Sequence, residues 1–411
     1  MNMLRKLNLL QRTGWMIAIT SLFMTTAALA NPVIPVPTQP QPVITPGTPN
    51  IDATAFVLMD ADSSKIIVEK NSNARMAPAS LTKLMTMYVI SNALKNGSIH
   101  LDDKVRISEN AWRTGGSRMF VKVNDEVPVR DLVQGIVVAS GNDAAVAMAE
   151  YVAGTEEAFA GLMNAQAKAL GMNNSHFVDS NGLPNPDHYS TAHDLALLAQ
   201  AIIKNFPEDY RLYSEKWFMF NNIKQPNRNR LLWRFQYADG LKTGHTQEAG
   251  YCLVGSAKKD STRYISVVMG APNDSARTED SIRLLTYGFR FYETHKLYNG
   301  ASKLADARVW KGKNKTVRLG LMNDFYVSMP SGQYKNIKAV IQINEPVKAP
   351  VIKGQAYGTL SVTLNNQVLA SVPLVALEND PKGGFWRNMT DSLSYSFNKL
   401  FSKSQEKANN G

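Results

Sequence analysis

The chain has one cysteine, Cys252, in 411 residues. No intramolecular disulfide can form, so the fold must hold by its core even in an oxidising compartment. Within Tyr251-Cys252-Leu253-Val254 that cysteine reads as a small buried apolar residue of a strand, not as a reactive thiol. The six histidines have no metal-ligand spacing, so neither a metal nor another cofactor is expected. There is no zinc-finger spacing and no arginine-rich block, which argues against nucleic acid as a partner. No apolar run in the mature chain reaches the ~20 residues of a spanning helix.

What is present is ordinary for a globular protein, 44% hydrophobic and 19% charged, and long enough for two domains. Residues 1–30 read as a secretory signal: Arg5, Lys6 and Arg12 lead, an apolar stretch runs from Trp15 to Met24, and Ala28-Leu29-Ala30 offers a cleavage site. Removing those three cations lowers the formal charge from +11 to +8. The mature chain stays basic, which for an exported protein suits acidic lipid head groups or an anionic wall polymer. Residues 31–50 hold seven prolines and form an extended spacer.

Short apolar runs at Ala53 to Asp60 and Lys65 to Lys70 predict a hairpin, followed by a long helix ending near Lys95-Asn96-Gly97. Thr114-Gly115-Gly116-Ser117 marks a loop, and an apolar run from Leu132 to Ala139 stops at Ser140-Gly141-Asn142-Asp143. Helices are expected over Ala144 to Ala153, Ala158 to Leu170 and Thr191 to Ile203, the last with Thr191 as cap, and a turn-rich loop over Asn174 to Tyr189. Strands are expected at Trp217 to Phe220, Leu231 to Trp233, Gly250 to Ala257 and Tyr264 to Gly270, with Lys242-Thr243-Gly244-His245 between the second and third, and a helix over Ser281 to His295. This order suits an α+β domain, 51–296, whose sheet pairs the first hairpin with the late strands. Alternating runs at Thr316 to Leu321, Phe325 to Met329, Ala339 to Ile343, Gly358 to Leu364 and Val368 to Val372 predict a small all-β domain, 297–380, with a hairpin turn at Asn365-Asn366. In the tail, 381–411, Phe385, Trp386, Met389, Leu393, Phe397, Leu400 and Phe401 make one apolar stripe beside basic residues, an amphipathic helix suited to lie on a membrane surface.

Three polar clusters stand in order: Ser80 with Lys83, Ser140 with Asn142, and Lys242 with Thr243 and Gly244. Alone, Ser80 would pass for a helix cap and Lys83 for a surface charge, since Ser-X-X-Lys also occurs at Ser256/Lys259, Ser396/Lys399 and Ser404/Lys407. The three together match the signature of serine penicillin-recognising enzymes, with Ser-Gly-Asn in the middle element. Over essentially its whole length the chain resembles the low-molecular-mass penicillin-binding proteins of the type-5/type-6 kind, D-alanyl-D-alanine carboxypeptidases with a serine β-lactamase/DD-peptidase-like catalytic domain.

That resemblance implies a reaction. Ser80 attacks the carbonyl between the terminal D-alanines of a peptidoglycan stem peptide, and β-lactam antibiotics acylate the same serine. Lys83 is the base if Lys242 and burial lower its pKa. Ser140 relays a proton to the leaving amine, and Asn142 holds the substrate amide and the lysine. The backbone N–H groups of Ser80 and His245 meet the oxyanion, Gly244 lets the substrate backbone approach, and Thr243 with Arg277 binds the terminal carboxylate, supported by Arg228. Other readings are a β-lactamase, a DD-endopeptidase, and a non-catalytic β-lactam sensor or wall-binding scaffold. Against the first, no glutamate lies between Glu157 and Glu208, where a class A enzyme would carry its deacylating base.

Overall fold

β1 (Ala55–Asp60) is apolar at five successive positions because both of its faces are covered. Ala55, Val57 and Met59 point into one core cluster, and Phe56 and Leu58 into another on the opposite face of the sheet. The computed structural model describes residues 46–387 and 389–391. The expected leader, residues 31–45 of the proline-rich spacer, and the tail beyond Asp391 lie outside the described residues.

The central sheet has the order β2-β1-β9-β8-β7 and is antiparallel throughout. β2 is Ile66–Lys70. The expected pairing of first hairpin with late strands holds, since Ala55 lies opposite Met269 and Asp60 opposite Tyr264. Between hairpin and late strands come α1 (Lys83–Lys95), β3 (Lys104–Arg106), α2 (Glu109–Arg113), β4 (Glu126–Pro128), α3 (Val129–Gln134), α4 (Asn142–Ala153), α5 (Glu156–Ala169), α6 (Ala192–Asn205) and α7 (Pro207–Tyr210). Thr191 caps α6 as expected, its hydroxyl accepting the Asp194 N–H at 3.0 Å. The hairpin β5 (Trp217–Phe220) and β6 (Ile223–Pro226) follows, then α8 (Leu231–Arg234), β7 (Ala238–Thr246), β8 (Gly250–Lys259), β9 (Thr262–Ala271) and α9 (Asp274–Phe291). α9 covers the second face of the sheet with Leu284 and Leu285.

The structure corrects some expected elements. Leu231 to Trp233 is helix, not strand: the Asn229 side chain accepts the Leu231 N–H at 3.1 Å and the Asn227 side chain the Asn229 N–H at 2.9 Å, so two side-chain turns curl the backbone before the apolar triplet begins. Lys242-Thr243-Gly244-His245 lies inside β7, not between strands. The helix expected over Ser281 to His295 starts earlier, where Asn273 caps it through the Ala276 N–H at 2.8 Å, and stops at Phe291. Residues 292–298 form a strand, β10 (Tyr292–Tyr298), because they find a partner in β13 (Phe325–Pro330).

The remaining strands are β11 (Lys303–Trp310), β12 (Thr316–Gly320), β14 (Ile337–Ile343), β15 (Val347–Lys348), β16 (Ala356–Leu364) and β17 (Gln367–Ala376), in the sheet order β14-β16-β17-β12-β11-β15. The expected runs appear, and β10, β11 and β15 add to them. Asn365 and Asn366 make the turn between β16 and β17 with φ of 49° and 66°, the left-handed pair that a two-residue hairpin needs. Of the apolar tail stripe, Phe385, Trp386 and Met389 fall on a described helical segment and are exposed; Leu393 onward lies outside the described residues.

Candidate active site

Ser80 sits in a 3-10 turn, Ala79–Thr82, that runs directly into α1. In such a turn residues i and i+3 eclipse, which places the Ser80 hydroxyl and the Lys83 amine on the same side. Lys83 Nζ lies 3.0 Å from Ser80 Oγ, 2.6 Å from Asn142 Oδ1 and 2.7 Å from the Asn181 carbonyl. The lysine is 1% exposed. Burial lowers its pKa to about 7; the Asp179 carboxylate opposes this shift, and the Arg228 guanidinium reinforces it. Arg228 thus joins Lys242, with which Lys83 shares a mutual repulsion, as a cation that helps to discharge Lys83.

The second cluster rests on a distorted helix. The apolar run before it ends in a π-helical turn, Gly135–Ala139, and Ser140 then adopts φ 61° and ψ 35°, a left-handed conformation unusual for serine. Its neighbours hold it there. The Asp143 carboxylate accepts the N–H groups of Met119 and Phe120, each at 2.9 Å, and the Asn142 N–H donates to Ser117 O at 2.7 Å. Asn142 Nδ2 donates to Gly115 O at 2.7 Å, which fixes the amide so that its oxygen faces Lys83.

Lys242, on β7, donates to Ser140 Oγ at 2.9 Å and to the Thr243 carbonyl at 3.2 Å. Burial, then the charges of Lys83, Arg228 and Arg277, push its pKa down. The two lysines thus anchor two polar groups: Ser80, Lys83 and Asn142 in one, Ser140 and Lys242 in the other. β7 is an edge strand of the sheet and packs against the turn bearing Ser80. An edge strand leaves backbone groups free to pair with an extended peptide. A Cβ at Gly244 would lie 2.8 Å from Pro78 O and 3.2 Å from Leu81 N, so this glycine is needed first for the close approach of the chain's own Ser80 turn, not only for that of a substrate. The His245 ring packs on Tyr251, centroids 4.0 Å apart.

Arg277 reaches the end of the same strand from α9. Its Nη1 donates to Gly244 O at 2.9 Å and Cys252 O at 3.3 Å, and Nη2 pairs with Asp274 at 2.5 Å. Arg228 Nε donates to Ala139 O at 3.2 Å, immediately before Ser140. Both arginines line one cleft of about 520 Å³. A wider cleft of about 850 Å³, lined by Lys204, Tyr210, Arg263 and Tyr326 among others, holds none of the serines or lysines above. Of the ten residues singled out in the sequence, Ser80, Lys83 and Asn142 are joined by hydrogen bonds, as are Ser140 and Lys242; Thr243, Gly244 and His245 follow Lys242 on β7, and Arg228 and Arg277 bond to Ala139 O and Gly244 O.

Some residues that shape the groove were not singled out. Asn181 was read only as part of a turn, yet its carbonyl is a partner of Lys83. Gly182, at φ +83°, passes so close to Ala79 that a Cβ would collide with its carbonyl. Glu156 Oε1 clamps this loop by accepting from Ser180 N at 3.0 Å, Ser180 Oγ at 2.5 Å and Asn181 Nδ2 at 3.3 Å. His188 Nε2 meets Thr82 Oγ1 at 2.8 Å. Asn-Gly-Leu-Pro carries a turn signal, but nothing in its composition says which carbonyl will face a lysine about a hundred residues away.

Residues 42–273 match the model of peptidase family S11, D-alanyl-D-alanine carboxypeptidase. The chain belongs to this family. Residues 292–382 match the C-terminal domain of penicillin-binding protein 5. The chain is 45% identical over 361 residues to D-alanyl-D-alanine carboxypeptidase DacC of Escherichia coli K12, covering 86% of this chain and 90% of that one. The crystal structure of penicillin-binding protein 5 from Haemophilus influenzae superposes with a TM-score of 0.79 at 41% identity, over 82% of this chain and all of the other. Penicillin-binding protein D2 of Listeria monocytogenes in its ampicillin-bound form is similar at 32% identity and a TM-score of 0.55, over 60% of this chain and all of that one.

Proposed function

We infer that this D-alanyl-D-alanine carboxypeptidase works through an acyl-enzyme on Ser80, with Lys83 as the base. The observation that carries the reading is the set of partners around Lys83 Nζ. A neutral amine has two N–H donors and one lone pair. Asn142 Oδ1 and Asn181 O take the two donors, and the lone pair is left to face Ser80 Oγ at 3.0 Å. With a pKa of about 7, the neutral form is well populated near neutral pH.

On this reading Ser80 Oγ adds to the penultimate D-alanine carbonyl as its proton passes to Lys83. The oxyanion is met by the backbone N–H groups of Ser80 and His245, on the turn and on the adjoining edge strand. Ser140, hydrogen-bonded to Lys242, passes a proton to the departing amine, and the terminal D-alanine leaves. Water then cleaves the ester and restores Ser80. Thr243, Arg277 and Arg228 hold the terminal carboxylate, and β-lactams enter by the same acylation. The absence of a glutamate between Glu157 and Glu208 favours slow release of the antibiotic over a class A β-lactamase. The test is release of D-alanine from a pentapeptide stem by the mature protein. Unchanged release by Lys83→Ala would remove the lysine from its role.

The division into signal (1–30), spacer (31–50), catalytic domain (51–296), all-β domain (297–380) and anchor (381–411) belongs to the same proposal. Export to the periplasm and peripheral attachment through the apolar tail stripe fit the exposed Phe385, Trp386 and Met389. Among the described residues no helix is long and apolar enough to cross a membrane. Truncation after Asp380 is expected to keep activity on soluble peptide and lose liposome binding; equal binding by both forms would contradict the anchor.

A further inference from the structure

The cleft of about 850 Å³ lies toward the other end of β7 from the groove at Ser80. Asp239 lines it, and it precedes Gly244 by five residues of that strand, about 17 Å at the usual rise of a β-strand. Its walls come from both parts of the chain. Asp62 lies in the turn between β1 and β2, Lys204 on α6 and Lys258 on β8, while Lys296 of β10 and Tyr326 of β13 fall in the region that matches the C-terminal domain. Beside the cleft the two parts are tied together: Thr294 Oγ1 donates to the Asp60 carboxylate at 2.6 Å, and Lys65 Nζ to Ser328 O at 3.1 Å.

Its charges are of two kinds. Arg263 is committed to the fold: it grips Asp239 through two bonds of 2.7 Å and donates to Tyr210 Oη at 3.0 Å and Ser256 Oγ at 2.6 Å. Lys296 pairs with Asp324 and Arg211 with Glu208, each at 2.9 Å on the surface. Three groups are left over. The Lys258 ammonium and the Asp62 carboxylate have no hydrogen bond or ion pair among the described residues, and Lys204 Nζ reaches only the Asp62 carbonyl, at 3.4 Å. These groups sense one another through their fields alone: burial and then the charge of Asp60 raise the Asp62 pKa, and Lys204, Arg263 and Lys258 oppose that shift. Opposite charges that line one cleft beyond ion-pair distance leave room for a ligand group between them. A plain anion would be repelled by Asp62, whereas a ligand of both signs would satisfy all three groups. A volume of about 850 Å³ is in the range of pockets that enclose whole small ligands.

We propose that the cleft lined by Asp62, Lys204 and Lys258 is a second, non-catalytic site for the wall polymer, taking a peptide stem that carries both a free carboxylate and a side-chain ammonium. The carboxylate rests between Lys204 and Lys258, and the ammonium faces Asp62. The proposal rests on the reading that the substrate is a peptidoglycan stem. A polymer bears many stems, and one held in this cleft raises the concentration of its neighbours at Ser80 without any new contact in the groove. The site binds and does not cleave.

The test uses the mature full chain after acylation by benzylpenicillin, which fills the groove at Ser80. A soluble disaccharide tetrapeptide, whose stem contains a diamino acid with a free ammonium and carboxylate, is titrated in by calorimetry. One equivalent is expected to bind. Lys258→Ala and Asp62→Asn are each expected to weaken binding about fivefold, the upper range for one exposed charge pair, and Lys204→Ala combined with Lys258→Ala about tenfold or more. Each variant should keep D-alanine release from a free pentapeptide within about twofold of the wild type. No binding by the acylated wild type, equal binding by all variants, or tighter binding by Asp62→Asn would overturn the proposal. So would inorganic phosphate that displaces the tetrapeptide at equal concentration, the mark of a plain anion site. A wild type that takes up no penicillin would instead sink the assignment of Ser80, and the loss of affinity in the cleft variants would still decide the second site.

Discussion

The catalytic part and the β part treat polar groups in opposite ways. Around Ser80 the chain buries two lysines, holds a serine in a left-handed conformation and distorts a helix into a π turn. In the β part the ion pairs are at the surface, as in Arg318–Glu378 and Lys296–Asp324, and the inward positions of β16 and β17 are apolar. Each device around Ser80 costs stability, since a buried amine loses its hydration and a strained φ must be held by its surroundings. Where a protein accepts such costs within one groove, that groove carries the chemistry. β16, in the β part, follows the simpler rule of alternating burial.

The contrast can be broken or sharpened by substitution. Lys83→Ala should lower the acylation rate by about a thousandfold, the middle of the range for loss of a general base, as read by stopped-flow with a chromogenic β-lactam. A tenfold loss or less would mean that the base lies elsewhere. Arg277→Gln should cost about a hundredfold in kcat/KM on the pentapeptide, mostly through KM, because a carboxylate would lose a buried charged partner. A purely structural arginine would instead lower thermal stability and leave KM unchanged.

Acidification gives a smaller effect with a defined sign. Lys83 has a pKa lowered to about 7, so below that value the amine is protonated and cannot take the Ser80 proton. The acylation rate should fall by about tenfold for each pH unit below 7 and level off above it. A flat profile between pH 5 and 7 would contradict this. In the β part, Leu360→Ala removes a fully buried side chain from the core and should cost about 3 kcal/mol of that region's stability. Its effect on peptide hydrolysis should stay within about twofold. A large activity loss in that variant would erase the distinction between the two regions.

The difference also explains what could be read in advance. Strand alternation from Thr316 onward and the Asn365-Asn366 turn are local signals, so most of the β strands were legible. β10 was not, because its partner β13 begins only at Phe325, and before that pairing is known Tyr292 to His295 look like the last turn of a helix. At the groove, Ser80, Lys83, Ser140, Asn142 and the Lys242-Thr243-Gly244 run were legible as an ordered set. Asn181 and Asp179 were not: one acts through its backbone carbonyl and the other through a field at Lys83, and neither leaves a mark on residue type. The part of Arg228 in the Lys83 shift was likewise missed, since only the folded arrangement brings its guanidinium to bear on that amine.

The central claim is that Ser80 becomes acylated because Lys83 removes its proton. Intact-mass measurement after incubation with benzylpenicillin tests the first half most directly, on the wild type and on Ser80→Ala. The account predicts one covalent adduct on the wild type, mapping to the peptide that contains Ser80, and none on the variant. An adduct that persists in Ser80→Ala, or a wild type that acquires none, would contradict it.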